Sequence, residues 1–556
     1  MQLADLIVTN AAVYTCDPDR EWVEAFAVAD GQVIAVGDAA EINAFSTADT
    51  DIVDAGGRMV MPGLCDVHTH LGYGGTQAAW ELAMPPTDTL DDVLAKVRDH
   101  AATLGPEEWV VGGNIGSGVL EAVSQGDYLS ALDEASGGRP VLLREESMHN
   151  RWVNTRALEL MGVTSGTADP DGGTYVRDAD GNPTGVLLEL ASKTVEDAMF
   201  ASIEAPDERL RVSFATAIRI VNSFGITAAQ DAATLEHSLR ALADLDDKGD
   251  LSAWVVGSMP ARPFFEEGTV GEELFAVRET HRRPHVRPDF VKLFLDGVPM
   301  TRTSAMLTPY ICHGDHEDPD FRGESYWSLE DTVKELERCY ELGLGAKLHC
   351  AGDASVQLAL DAIEKVRETH GEGPIFQIAH VVYVDSVDIA RFGPLGVVAD
   401  ASPYIWFPSG IQDACANQVS PEAFDRSFPC RDLVESGALL AAGSDWPVVP
   451  LPNPWLGMET LVTRANPDQA VHGALNPSQA LSLPQAIAVF TRDGARAMGL
   501  GDVTGTIRPG FSADFIVLDQ NLFDVDAGRI SQTQVQATYF QGTKVHDVAS
   551  ADKASR

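Results

Sequence analysis

The sequence predicts an α/β protein, with a (β/α)8 barrel in the middle of the chain and a small β domain assembled from its two ends. Three observations predict it. Eight short apolar strands recur across residues 62–503, with helical stretches between most of them. Strand-like segments also fill both ends, at about residues 1–61 and 504–556. Between the first two of the eight strands lie about 150 residues, far more than a connecting loop needs, so an insert subdomain is expected over about residues 76–205.

At the N-terminal end, LIVTNAAVYT, EAFAVADGQVIAVG and TDIVDAGGRMVMPG alternate apolar and polar residues with a period near two. Asp30-Gly31 and Gly56-Gly57 mark turns between them. The tail repeats the character in GTIRPGFSADFIVLD and VQATYFQGTKV, with a turn at Gln541-Gly542. The barrel strands read as GLCDVHTHL, GITAAQDA, SAWVVGSM, FVKLFLDGV, GAKLHCAG, FQIAHVV, LGVVADASP and ALLAAGSDWP. Helical patterns such as SLEDTVKELERCYELG and DASVQLALDAIEKVRETHG separate them. The first opens with Ser328 three residues before Asp331, close to a capping box. Eight such units fit a closed barrel better than an open doubly wound sheet. The insert carries elements of its own in EWVVGGN, RPVLLREESMHNRWVN and GNPTGVLLEL, and its position places it over the barrel mouth.

The 556 residues carry 39 Lys+Arg against 83 Asp+Glu, a net charge of −44. So acidic a protein repels phosphate backbones and anionic lipid, which argues against nucleic-acid and membrane partners. No apolar run reaches the roughly 18 residues of a membrane span. The opening MQLADLIVTNAAVYT has Asp5 and no basic stretch, so it reads as a strand and not as a signal peptide. Cys16, Cys65, Cys312, Cys339, Cys350, Cys415 and Cys430 sit singly, without a CxxC pair. That pattern points to reduced thiols and a cytoplasmic location, and away from zinc held by cysteine.

The residues suited to chemistry fall at strand ends. His68 and His70 close the first strand, Lys292 lies in the fourth, His349 ends the fifth, His380 ends the sixth and Asp445 ends the eighth. Alternation puts His68 and His70 on one face, and a barrel gathers the C-terminal ends of its strands at one rim. Imidazole with carboxylate suits zinc and neighbouring divalent metals. Such a metal, with one position open, brings the pKa of water to about 7. A carboxylate beside that water, here Asp445, takes its proton and later passes one to a departing amine. Singly, each residue has a plainer reading. An HxH pair is ordinarily structural, Lys292 can lay its stem outward on a helix, His349 or His380 can be a hydrogen-bonded core histidine, and Asp445 can cap a turn. Their common register at successive strand ends is what those readings leave unexplained.

The motifs PGLCDVHTH, VKLFLDGV, KLHCAGD, QIAHVVYV and GSDWPV, in this order, resemble the amidohydrolase superfamily, and within it the family 3 branch that includes N-substituted formamide deformylases. NPTGVLLE, GIT followed by Asp231, LPQAIAVFTRDGARAMGL and GTIRPGFSADFIVLD extend the resemblance over nearly the whole chain. It implies a distorted TIM barrel with a composite β-sandwich from the two ends. It further implies one or two divalent metals, usually zinc, bound by His68, His70, His349, His380 and Asp445. A carboxylated lysine bridges the metals in binuclear relatives, and Lys292 occupies that place; unmodified, it would instead meet a substrate carbonyl or carboxylate. Relatives often carry Asp-x-His ahead of Trp-x-Asn in the insert, whereas this chain has Ser147-Met148-His149 and then Trp152-Val153-Asn154. His149 is therefore read either as polarising a substrate carbonyl or as making a structural hydrogen bond, and Asn154 as a substrate contact. Glu189 is read as holding an insert residue or approaching the metal. Tyr73, Trp446, Tyr404, Trp406 and Phe407, next to strand ends, are read as pocket lining or as core.

The expected activity is hydrolysis of a C–N bond in an amide, N-substituted formamide or cyclic amide by metal-activated hydroxide, with Asp445, His149 and Lys292 as the catalytic side chains. An ester, carbamate or amidine/deaminase-type substrate at the same centre is the alternative. An inactive barrel acting as a binding or regulatory protein is the alternative from another class. A small molecule is the expected partner, and a homodimer is the assembly considered.

Overall fold

The computed structural model describes residues 2–126, 128–146, 148–263, 268–313 and 318–549. All eight strands expected for the barrel are present: β1 (Leu64–Thr69), β2 (Ile226–Asp231), β3 (Trp254–Pro260), β4 (Val286–Phe294), β5 (Gly345–Cys350), β6 (Phe376–His380), β7 (Val397–Ala401) and β8 (Leu439–Ala442). They form one sheet in sequence order, each parallel to its neighbours. Their near-continuous burial is what helices on the outer face of a parallel sheet produce.

Closure between β8 and β1 is made just beyond the last strand. The Asp445 N–H donates to the His68 carbonyl at 2.7 Å. Ser444 donates to Asp66 through its N–H, at 2.9 Å, and through its hydroxyl, at 2.6 Å. Gly443 permits this approach, since a Cβ there would lie 2.3 Å from the His68 Cβ. The first and eighth strands thus bring their functional side chains to the same point of the rim.

Strands from both ends of the chain share a six-stranded sheet, in which Phe515–Leu518 lies antiparallel between Met59–Pro62 and Val535–Phe540. A four-stranded sheet of N-terminal strands accompanies it. Their common core includes Val8, Phe26, Val60 and Phe515, with the Phe26 and Phe515 rings edge to face at 5.0 Å. The sheets are tied to the barrel where the Trp254 Nε1–H donates to Asp514 at 2.8 Å.

Between β1 and β2 run helix α1 (Leu71–Trp80), the insert, and helix α2 (Pro206–Ser223). The insert holds a six-stranded sheet of its own, from Leu82–Ala83 to Pro183–Glu189. Trp152, fully buried, anchors one of its apolar clusters. Two buried arginines secure it: Arg144 is paired with Glu81 and Glu196, and Arg151 with Glu196. Burial would raise the Glu196 carboxyl, but the two guanidinium groups outweigh it and hold it at about 2.

No disulfide joins the described cysteines. Among the described residues no helix is long and apolar enough to cross a membrane.

Candidate metal centre

The strand ends converge as the register requires. One ligand atom each from His68, His70 and Asp445 lies within 4.8 Å of the others. Nε2 of His70 is 3.3 Å from Asp445 Oδ1, and Nε2 of His68 is 3.8 Å from it. His380 Nε2 approaches the other carboxylate oxygen at 3.9 Å. The His380 ring stands 4.4 Å from that of His68 and 5.0 Å from that of His349. Lys292 Nζ points into the same group, 3.2 Å from His68 Nε2. Asp445 reaches in from a left-handed backbone, φ 57°, a region Asp enters more readily than most non-glycine residues.

Outer partners fix which nitrogen each imidazole presents. The His68 Nδ1–H donates to Asp400 Oδ2 at 2.8 Å, leaving the Nε2 lone pair to face the centre. Nε2–H of His349 donates to the Gly297 carbonyl at 3.1 Å, which leaves Nδ1 as the available donor atom. His380 Nδ1 shares a hydrogen bond with the Ser402 hydroxyl at 2.7 Å. Asp400 Oδ2 also accepts from Lys347 Nζ, so one buried carboxylate serves a ligand and a lysine together.

The electrostatics prepare the same set for a cation. Burial, then the charge of Lys292, pulls His349 down to about 4. Burial foremost also holds His68 and His380 well below the usual histidine range. All three are therefore neutral at pH 7, the form that binds metal. Burial alone would raise the Asp445 carboxyl, but His380, His70 and Lys292 outweigh it and keep it at about 2, so it is ionised. For Lys292, burial and then Lys347 lower the amine to about 7, where a large share is uncharged. Neutral imidazoles with one carboxylate, His68, His349 and His380 each oriented by an outer partner, fit a divalent metal ion.

A model of the amidohydrolase family matches residues 51–546. The chain belongs to the amidohydrolase family. Among curated relatives, the N-substituted formamide deformylase of Arthrobacter pascens is 26% identical over 97% of this chain and 98% of its own. Protein LONG AFTER FAR-RED 3 of Arabidopsis thaliana is 29% identical, over 98% of this chain and 92% of its own. Among solved structures, a metal-dependent hydrolase from Pyrococcus horikoshii superposes with a TM-score of 0.75 at 24% identity, covering 94% of this chain and 99% of that one. The fold is shared with that hydrolase.

Around the centre of this amidohydrolase, the other expected residues divide. His149 is held by Glu189, Nδ1 to Oε2 at 2.8 Å, and lies near enough to His349 to lower that imidazole further. Glu189 thus holds an insert residue. Ser147 lies outside the described residues. Tyr73, on α1, stands edge-on to the His70 ring at 6.5 Å. Asn154 does not face the centre. It is fully buried and caps helix Thr155–Met161, accepting from the N–H groups of Ala157 and Val141 and donating to Ser136 and the Arg139 carbonyl. Trp446 is 2% exposed, with its ring against α1 where Gly74 leaves room: a Cβ there would meet the ring at 2.5 Å. The polar atoms of Asn154 are thus spent within the insert, and the Trp446 ring is packed against α1. Tyr404 and Trp406 are buried as well, Trp406 stacked on Phe428 at 4.4 Å, while Phe407 is half-buried.

Sequence reasoning missed Lys347, Asp400 and Ser402. The signal was there for two of them. Lys347 lies two residues before His349 and shares its inward face, and Asp400 is a carboxylate in an otherwise apolar buried strand. It also missed Asp296, which binds the N–H groups of Ala305, Ala351 and Gly352 and the Ser355 hydroxyl, and so shapes the turns beside His349.

Proposed function

We propose that the protein hydrolyses a C–N bond of an amide, N-substituted formamide or cyclic amide, at a divalent metal, zinc in the first instance, held by His68, His70, His349, His380 and Asp445. The observation that carries this is the approach of His68, His70 and Asp445 to within 4.8 Å, with the carboxylate held ionised. The naming of a relative as an N-substituted formamide deformylase supports the choice of substrate. A bound metal supplies Lewis acidity, acidifying water and polarising a carbonyl.

The chain's own residues do the rest. Asp445, ionised and aimed at the ligand cluster, takes the proton of the attacking water and returns it to the leaving nitrogen. His149, held by Glu189 through Nδ1 and near His349, would turn Nε2 to the substrate carbonyl oxygen, where negative charge grows as the tetrahedral carbon forms. Lys292, with a large share of its amine uncharged at pH 7, can take up carbon dioxide to become a carboxylated ligand; unmodified, it would donate to the substrate.

A panel of formamide, amide, cyclic amide, ester, carbamate and amidine substrates, assayed at fixed metal content, tests this reading. Turnover of the formamides and amides is expected, lost on chelation and restored by zinc. Hydrolysis confined to esters, carbamates or amidines in fully metal-loaded protein would contradict it.

A further inference from the structure

A cavity of about 80 Å³ lies between the insert, α1 and α2. Tyr73 and Thr76 of α1 form one side, Met199, Phe200 and Leu210 supply apolar surface, and Arg209 of α2 enters it. Tyr73 borders both sites: it lines this cavity, and its ring stands 6.5 Å from that of His70.

Arg209 differs from the cations around it. Arg144 and Arg151 are neutralised by Glu81 and Glu196. The Arg209 guanidinium has no hydrogen-bonded or ion-paired acceptor among the described residues; it lies instead over the Trp80 ring, 4.8 Å from its centre. Trp80 is fixed for that contact. Its Nε1–H donates to the Ser213 hydroxyl at 3.1 Å, which also accepts from Thr76 at 2.9 Å and donates to the Arg209 carbonyl at 3.0 Å. Half-buried, the guanidinium keeps its donors open to water and to an acceptor that enters the cavity. Glu81 acts on it only through space, without a hydrogen bond or ion pair.

We propose that this cavity is a carboxylate subsite, in which Arg209 holds the anionic end of a small organic acid by paired N–H···O bonds while its apolar stem runs past Tyr73 towards the metal centre. Glu196 and Asp197 also border the cavity, but each is paired with cations of its own, Glu196 with Arg144 and Arg151 and Asp197 with Lys193. The inference rests on the hydrolase reading and narrows it: the substrate carries a carboxylate a few carbons from the scissile C–N bond.

Binding and turnover test it separately. In calorimetry on the metal-loaded protein, phenylacetate is expected to bind about tenfold or more tightly than benzyl alcohol, and Arg209→Met is expected to abolish the difference. Phe200→Asp, at an exposed wall position, places a competing carboxylate in the cavity and should do the same without altering the arginine. In turnover, the ratio of kcat/KM for 4-formamidobutanoate to that for N-butylformamide should fall about tenfold in Arg209→Met and recover in part in Arg209→Lys. Equal phenylacetate affinity in wild type and both cavity variants overturns the subsite. Binding that depends on Arg209, without turnover of either formamide, upholds the subsite and counts against the hydrolase reading.

Discussion

Asp445→Asn is expected to lower turnover by about a hundredfold to ten-thousandfold, the range set by losing a positioned acid–base group. The amide keeps the shape of the side chain and its position at φ 57° beyond β8. It removes the charge that His70, at 3.3 Å, and His380, at 3.9 Å, now face. It also removes the basic oxygen that receives the proton of the attacking water. Because Asp445 is read as a ligand as well, the comparison is made per bound metal, after reconstitution at saturating zinc. Turnover close to wild type in the metal-loaded variant would take Asp445 out of the proton-transfer role.

Asp400→Asn is expected to be the most destabilising single change at the centre, at about 3–5 kcal/mol, and to weaken metal binding about tenfold to a hundredfold. The carboxylate is fully buried and serves Lys347 Nζ and His68 Nδ1 at once. Its loss leaves the buried Lys347 ammonium without a counter-charge, and that desolvated charge accounts for the stability term. It also leaves the His68 ring free to turn or change tautomer, and that accounts for the affinity term. Denaturant unfolding of the metal-free protein reads the first, and competitive zinc titration reads the second. Lys347→Met in the same background should recover part of the lost stability, because it removes the stranded charge.

What the sequence disclosed was set by how local the signal is. The eight strands were legible because each is a short apolar run between helical stretches, and a parallel barrel buries both faces of its strands. His68, His70, His349, His380 and Asp445 were legible because strand ends share one rim in such a barrel, so position along the strand stands in for position in space. Lys347 and Asp400 were overlooked because each looks ordinary alone; only their pairing across the barrel shows that a lysine and an aspartate share a buried bond. Trp446 could not be placed from its neighbours, since its burial depends on the missing side chain of Gly74, far away in the chain. Asn154 misled for a similar reason. Its polar side chain is used up by helix capping and by the backbone of an adjacent strand. Arg209 carried no motif, and its isolation is visible only against the paired arginines beside it.

Elemental analysis of the purified protein, set beside the double variant His68→Ala/His70→Ala, tests the central claim most directly. The wild type is expected to retain one or two equivalents of zinc or a neighbouring divalent ion per chain through exhaustive dialysis. The double variant, folded by circular dichroism, is expected to retain none. Wild type that takes up no divalent ion, or a variant that holds as much as wild type, would show that these side chains gather for some purpose other than binding a metal.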